Sequence, residues 1–388
     1  MNRKKKLLVT ASTFPRWEGD TEPRFVLDLC SHMADKCDVT ALVPAASGAK
    51  DREILEGVEV IRYHYFPIHK WETLCYPGAI VSRIKEKKIR VLLVPFLLLS
   101  LYLHLFKLLP QFDMVHAHWL IPQGIVQSFF KTPYIVTGHG GDVTSMNQGI
   151  LRKLKIRCLK RADHVTVVSE HLKNIIQQMV PEIHPDIISM GVDAGKFGGQ
   201  YYVSNYFGQG NRKVVLFVGR LVEIKGVEYL IEAMKSVDAL LVIVGDGPLK
   251  DKLQLKADGL GKNEVKFLGG KTHEELKNIF ASADVFVIPS ITAADGAKEG
   301  FGLVILEAMA SGLPVIASNS GGIPQLIQNG INGLLCEEKD IEALSISINK
   351  LLNDKQLSQQ LVDNGKRTIK QYDYSLIAKK YDEILRNK

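Results

Sequence analysis

Paired cysteines are missing from this sequence. Cys30, Cys37, Cys75, Cys158 and Cys336 lie scattered over 388 residues, with no CxxC pair and no Cys/His spacing of a zinc ligand set. A disulfide framework or structural zinc is therefore not expected, and a reducing compartment is. Short repeats and low-complexity tracts are also absent, which sets aside a repeat array. No secretory leader is legible. The start, MNRKKKLLV, is basic and then apolar, but its apolar part is too short and runs into polar residues 10–16. It reads as a first strand entered from a charged tail, in a cytoplasmic protein.

What is present is the composition of a folded chain, 46% apolar and 23% charged, long enough for two domains. The net charge of +7 is unevenly placed. Residues 1–200 hold 26 Lys and Arg against 19 Asp and Glu, and the remainder holds 23 of each. The whole excess lies in the first half, where a basic patch can meet nucleic acid, anionic lipid or phosphorylated substrates, a solvated surface being the plain reading of any single cluster. No nucleic-acid partner is expected.

Short β-branched runs alternate with amphipathic stretches, which argues an α/β fold with parallel sheets. Strands are expected at 6–11, 39–44, 58–63, 114–118, 134–137 and 165–168. A second set is expected at 214–219, 240–245, 265–268, 285–289, 314–317 and 333–335. Two sets predict two doubly wound domains, over 1–195 and 196–365. The Gly-rich, aromatic stretch 197–213 reads as a linker or loop. Residues 366–388 form a terminal helix packing back towards the first domain.

One run is unusual. Residues 91–106, VLLVPFLLLSLYLHLF, carry no formal charge and follow the basic RIKEKKIR of 83–90. The first expectation is a buried helix on the first sheet. A lipid-facing helix beside a basic cluster is the sharper alternative, and a spanning helix would split the sheet.

The chemistry concentrates in EGFGLVILEAMASGLPV, residues 299–315. It follows a strand ending near Pro289, and ligands of open α/β sheets bind beyond the carboxyl ends of strands. A helix starts near Leu303, and Gly312 and Pro314 stop it. The N–H groups of Gly300, Phe301, Gly302 and the residues after them are donors for an anion, typically phosphate. Glu299 before this helix and Glu307 within it are poor phosphate ligands but good acceptors for hydroxyl groups on either side. Sugar hydroxyls, diphosphate and ribose hydroxyls follow one another in that order in a nucleotide sugar. FVGRLVEIKGVEYLIEA, residues 217–233, adds Arg220 and Lys225 after a strand ending at Gly219, two cations that can neutralise a diphosphate without a metal. His139 lies among Gly138, Gly140 and Gly141, a loop able to bend over a ligand. His116 and His118 alternate in a strand and read equally as a wall of the site or as core. No metal and no cofactor are expected.

Glu299 and Glu307 form an E-x7-E element. With GRLVEIKG (219–226), GDGPLK (245–250) and SGGIPQLI (320–327), it resembles the C-terminal domain of retaining GT-B glycosyltransferases of glycosyltransferase family 4. The first half agrees in TFPRWEGDTEPRFVLDL (13–29), VHAHWLIPQG (115–124), VTGHGGDV (136–143), RADHVTVVSE (161–170) and MGVDAGKF (190–197). The resemblance covers nearly the whole chain. It implies a GT-B architecture, two Rossmann-like domains facing a cleft. It also implies roles. Glu299 contacts donor-sugar hydroxyls, and Gly300, Phe301, Gly302, Leu303 and Val304 line the sugar and phosphate. Glu307 binds the ribose, Arg220 and Lys225 hold the diphosphate, and Leu268 bonds the base through its backbone. Gly219 and Gly245 join the donor site, as do Gly19 and Asp142 from the first domain. His139 is the active-site histidine. The first loop departs from the common Gly-Gly pattern. It has only Gly19, with Arg16, Asp20, Glu22 and Arg24 as added charges, and that leaves the acceptor contacts open.

The expected activity is transfer of a sugar, with retention, from a UDP- or GDP-sugar to a hydroxyl acceptor in bacterial surface polysaccharide or glycolipid assembly. A lipid-linked acceptor would bring the first domain to the inner face of the plasma membrane. Two alternatives stand beside it: a nucleotide-sugar 2-epimerase on the same fold, and a non-catalytic sugar-nucleotide binder at the membrane surface.

Overall fold

The computed structural model describes residues 3–259 and 265–386. The chain divides into two compact units, Met1–Met190 with Tyr374–Lys388, and Gly191–Asp373. The change of unit falls five residues before the expected boundary at 195/196. Residues 366–373, assigned above to the terminal helix, belong to the second unit.

The first unit is built from β1 (Lys6–Thr10), α1 (Phe25–Ala34), β2 (Asp38–Pro44), β3 (Arg52–Leu55), β4 (Val58–Tyr63), α2 (Ile80–Glu86), α3 (Val94–Leu108), β5 (Met114–His118), α4 (Ile125–Gln127), β6 (Tyr134–Gly138), α5 (Gly141–Thr144), α6 (Gly149–Arg161), β7 (His164–Val167), α7 (Glu170–Met179) and β8 (Asp186–Ile187). Its sheet runs in the order β3-β4-β2-β1-β5-β6-β7-β8. All pairs are parallel except β3 with β4. Strands buried on both faces read as apolar runs, and Leu7, Leu8, Val9 of β1 and Tyr134, Ile135, Val136 of β6 are all at most 1% exposed.

The second unit contains β9 (Val214–Val218), α8 (Val227–Ala233), β10 (Leu240–Val244), α9 (Lys250–Asp258), β11 (Val265–Gly269), α10 (His273–Ala281), β12 (Val285–Ile288), α11 (Leu303–Ala310), β13 (Val315–Ser318), β14 (Leu334–Cys336), α12 (Ile341–Asn353) and α13 (Lys355–Thr368). Its parallel sheet has the order β11-β10-β9-β12-β13-β14. One face of the core is made by Val215, Phe217, Leu241, Ile243, Val285 and Val287 packed with Leu230, Ile231 and Ile348 of the covering helices. Residues 197–213 form no strand or α-helix. They are tied to this unit by Lys266, whose ammonium donates to the Phe207 carbonyl at 3.0 Å.

The chain ends in α14 (Tyr374–Arg386), which belongs to the first unit and packs against α1. Tyr381 is fully buried there, its hydroxyl 3.2 Å from Thr137 Oγ1 and 3.3 Å from Thr166 Oγ1.

The uncharged run folds differently from a core helix. Leu97, Leu101, Leu105 and Leu109 form a stripe that is at most 6% exposed. Ser100, on the same side, donates to the His64 carbonyl at 2.6 Å. The opposite side is open. Leu92, Phe96, Leu99, Leu103 and Phe106 are 44–65% exposed. The expectation of a buried helix therefore holds for one face only.

Candidate active site

A doubly wound sheet opens a crevice where its strand order reverses. In the second unit this is between β9 and β12, which are hydrogen-bonded neighbours although β10 and β11 intervene in sequence. The segment after β9 carries Gly219, Arg220 and Lys225, and the segment after β12 carries Glu299 and leads into α11. The topology thus brings together two stretches that lie some eighty residues apart in the sequence. Lys225 Nζ donates to Glu299 Oε2, with side-chain exposures of 15% and 13%. Arg220 sits half-buried in the same loop as Lys225.

The loop carrying Glu299 is fastened along its length. Thr292 donates through its amide (2.7 Å) and hydroxyl (2.8 Å) to the Glu338 carboxylate. The Ala294 amide donates to Glu223 at 2.9 Å. The Gly322 amide donates to the Glu299 carbonyl at 3.0 Å. Gly321 makes that last approach feasible. It has φ +57°, and a Cβ there would lie 2.1 Å from the Glu299 oxygen. The SGGIPQLI motif is thus read as a clamp on the residue before the anion site.

Gly302 enters α11 in the left-handed region, φ 89°, with no side-chain cap. The first N–H groups of a helix have no intrahelical acceptor and favour an anion. The far end closes with Gly312 N–H on Met309 O (3.1 Å) and Leu313 N–H on Ala308 O (3.0 Å), a Schellman pair. Between the ends, Ile305, Leu306, Ala308 and Met309 face the core, and Leu303, Val304 and Glu307 share the half-buried side. Phe301 spends its ring on the core, 5.7 Å from that of Tyr372. Only its backbone is suited to a ligand.

Leu268 has a local oddity in its favour. The β10–β11 register pairs Ile243 with Phe267 and Val244 with Gly269, so a bulge leaves Leu268 without an opposite residue. Beside it the loops of Gly245 and Gly219 touch, and the Gly245 amide donates to Gly269 at 2.8 Å. Asp246 locks this corner by accepting from the Gly270 amide at 2.6 Å and from Lys250 at 2.7 Å.

In the first unit, His139 follows β6. Its Nε2 lies 2.9 Å from His118 Nδ1, and its ring packs against Phe25, Trp119 and His118. Burial, with His116 nearby, pushes the His139 imidazole down to about 3, so it is neutral at physiological pH. Burial does the same to His116, also about 3, and pushes His118 well below its ordinary range. One of His118 and His139 donates to the other, and the pair fixes the ring of His139. Trp119 is held at φ 75°, a strained conformation for a bulky residue, at the end of β5 beside this pair.

The remaining first-domain residues singled out in the sequence have the following surroundings. The Asp142 carboxylate is engaged by backbone amides of its own loop and of Leu120. It is 7% exposed and accepts from the amides of His139 (3.1 Å), Gly140 (2.9 Å) and Leu120 (2.8 Å), so it builds the loop that carries His139. Gly19 is exposed on a turn at φ 75°, with nothing within 4 Å of a notional Cβ. The charges of the first loop are spent internally. Arg16 bonds both oxygens of Asp20, Arg24 bonds Asp28 and Glu56, and Glu22 accepts from the Gly78 amide. His116 and His118 are both fully buried, which decides between wall and core in favour of core. What the sequence did not show is the pairing of His118 with His139. The signal for it was the H-A-H alternation, which sets two imidazoles on one face next to the strand that His139 follows.

Among the described residues, His64, His69 and Glu72 place possible metal-ligand atoms within 4.8 Å of one another. Both nitrogens of His64 are already engaged, by Glu72 at 2.6 Å and Asp51 at 3.0 Å. Burial lowers this imidazole, but the two carboxylates outweigh it and raise it above its ordinary value. Glu72 also accepts from the amides of Tyr65 and Phe66. The group reads as an ion-paired knot.

Comparison with known proteins gives the family and the fold. Residues 23–196 match the family Glycosyltransferase Family 4, and residues 205–368 match Glycosyl transferases group 1. The chain is 31% identical over 265 residues to a GDP-mannose-dependent alpha-(1-6)-phosphatidylinositol monomannoside mannosyltransferase of Mycobacterium tuberculosis, covering 65% of this chain and 69% of that one. Its fold is that of a sucrose-phosphate synthase from Thermosynechococcus elongatus, with TM-score 0.78, 22% identity and 99% of both chains covered. It is also that of the Anabaena protein HepE solved with UDP-glucose, with TM-score 0.75, 21% identity and coverage of 99% and 100%. With two parallel α/β units and a family match on each half, the chain belongs to the GT-B glycosyltransferases, in the families Glycosyltransferase Family 4 and Glycosyl transferases group 1.

Proposed function

We propose that the protein is a retaining hexosyltransferase, moving a sugar from a UDP- or GDP-sugar to the hydroxyl of a lipid-linked acceptor in bacterial surface polysaccharide or glycolipid assembly, at the inner face of the plasma membrane. The observation that carries this is the Lys225–Glu299 pair set before the N-terminus of α11, at the reversal of strand order. One relative is GDP-mannose-dependent by name and one structural neighbour holds UDP-glucose, so both bases stay in the proposal.

The second unit takes the nucleotide. The ribose hydroxyls bond Glu307, the base meets the backbone at Leu268, and the diphosphate meets Arg220, Lys225 and the α11 amides. When Lys225 turns to the diphosphate, the Glu299 carboxylate is freed to accept from sugar hydroxyls. The bond from the anomeric carbon to the diphosphate oxygen breaks, the acceptor oxygen bonds that carbon on the same face, and the acceptor proton passes to the departing phosphate oxygen. The protein contributes positioning and stabilisation of the leaving charge. Arg220 and Lys225 supply that positive charge without a resident metal.

A thermal-shift screen of UDP-, GDP- and ADP-sugars, with and without EDTA, tests the donor. The expected result is a shift with one UDP- or GDP-sugar that EDTA leaves unchanged. Product NMR then reads the anomeric configuration. Inversion overturns the retaining mechanism, and an altered free sugar nucleotide without acceptor turns the reading to an epimerase.

A further inference from the structure

The exposed face of α3 departs from an ordinary soluble surface. Lys88–Gln111 is long and apolar enough to cross a membrane, yet only 22% of its most apolar window is buried. The buried part is a single stripe, Leu97, Leu101, Leu105 and Leu109, at spacing i, i+4, which anchors the helix to its own unit. The helix also lies between β4 and β5, and β5 pairs with β1 and β6 inside the sheet. Spanning would pull that stripe and the neighbouring strand out of the fold. The opposite stripe, Leu92, Phe96, Leu99, Leu103 and Phe106, repeats at alternating four and three residues and faces outward over the whole length. Monomeric soluble proteins rarely leave such a continuous apolar strip uncovered.

The charge around this strip selects its occupant. From Thr73 to Gln111 the one acidic residue is Glu86, and it is taken up by Arg83 at 2.6 Å and Arg90 at 2.9 Å. Arg90 is itself 9% exposed and donates to the Arg83 carbonyl, so two of the basic residues in RIKEKKIR hold the turn together. Lys85, Lys87 and Lys88 at one end of the helix and Lys107 at the other are exposed. Aromatic rings border the strip. Phe66 packs edge-on to Phe96 and stacks on Trp71, which is 52% exposed, and Tyr102 packs on Phe130. Lysines outside an apolar strip bordered by amphipathic aromatics match the headgroup and acyl zones of an anionic bilayer.

We propose that α3 docks the first unit onto an anionic lipid surface, lying in the membrane plane, with Leu92, Phe96, Leu99, Leu103 and Phe106 immersed and Lys85, Lys87 and Lys88 at the headgroups. Its purpose rests on the lipid-linked acceptor proposed above, but the docking itself is tested without sugar. The full chain is floated with phosphatidylcholine vesicles, with and without phosphatidylglycerol. Recovery should require phosphatidylglycerol and fall as salt rises. The Lys85→Gln/Lys87→Gln/Lys88→Gln variant should bind on the order of 100-fold more weakly, about fivefold per lysine. Leu99→Glu/Leu103→Glu, both at exposed positions, should abolish recovery while keeping the nucleotide thermal shift of the wild type. Equal recovery on neutral vesicles, or undiminished binding by Leu99→Glu/Leu103→Glu, overturns the proposal. So does a wild type that ignores vesicles and forms a dimer dispersed by those substitutions, which would give the face to a second copy. Vesicle binding without any nucleotide shift would leave the docking standing and defeat the transferase reading instead.

Discussion

Replacing Glu299 with glutamine removes one half of an ion pair whose side chains are 15% and 13% exposed. Breaking a fully buried pair costs about 3–5 kcal/mol, because the remaining charge stays desolvated. Residual exposure at the crevice lowers the expected cost to roughly 2 kcal/mol. For a unit the length of residues 191–373, that is a fall in Tm of about 4–8 °C. Lys225→Met should show a loss of the same order, with Glu299 left uncompensated. The double variant Lys225→Met/Glu299→Gln carries no charge at the site and should recover most of the stability. It should not recover transfer, since neither the diphosphate nor the sugar hydroxyls would find their partner. The protein offers a convenient separation of signals. Trp17, Trp71 and Trp119 all lie in the first unit, so an unfolding step seen by circular dichroism or calorimetry without a tryptophan signal belongs to the second. Single variants as stable as the wild type would refute the coupling, and a double variant as active as the wild type would remove the pair from the site.

Glu307→Ala should weaken donor binding, while Arg220→Ala should bind donor and slow transfer by roughly 2–4 kcal/mol of barrier, because leaving-group charge grows only during reaction; titration calorimetry and kcat separate the two, and equal affinity losses would undo the distinction. His139→Ala should leave nucleotide affinity nearly intact and lower transfer, since His139 and the Lys225–Glu299 pair belong to different units; loss of UDP or GDP binding would give it a structural role. Acid should destabilise the first unit early. Burial keeps His116 neutral down to about pH 3 when folded, whereas the unfolded chain takes up that proton near 6.5. The stabilising contribution is therefore full above about 6.5 and is lost as pH falls towards 3, at roughly 1.4 kcal/mol per pH unit for one such histidine. Tryptophan-detected melting should drop between pH 7 and 5, and a constant Tm over that range would contradict the neutral buried cluster.

The strands at 58–63 and 114–118 were legible to the residue, and the others of the two expected sets to within one residue at each end. Their signal is local: β-branched runs with glycine or proline at the exits. The two strands not foreseen, β3 and β8, are short and lie at the edges of the sheet, with mostly exposed or half-buried side chains and little apolar pattern to show. The site was legible in part for the same reason. Gly302 and Gly312 mark the ends of α11 in the sequence itself, with Glu299 just before the helix and Glu307 on it.

The sequence by itself determined the helix entry at Glu299, the basic loop at Arg220 and Lys225, and the glycine loop of His139, because turn chemistry and strand exits are written in neighbouring residues. Only the tertiary structure decided that Lys225 meets Glu299, since that pairing depends on β9 lying beside β12. It also decided that Asp142 is consumed by three backbone amides, that His118 holds His139, and that Arg16 pairs with Asp20 while Arg24 pairs with Asp28 and Glu56. The run 91–106 shows the division plainly. Its composition is apolar on every side, so no periodicity could say which face is buried. The packing of the first unit made that choice by burying Leu97, Leu101 and Leu105 and leaving Leu99, Leu103 and Phe106 exposed.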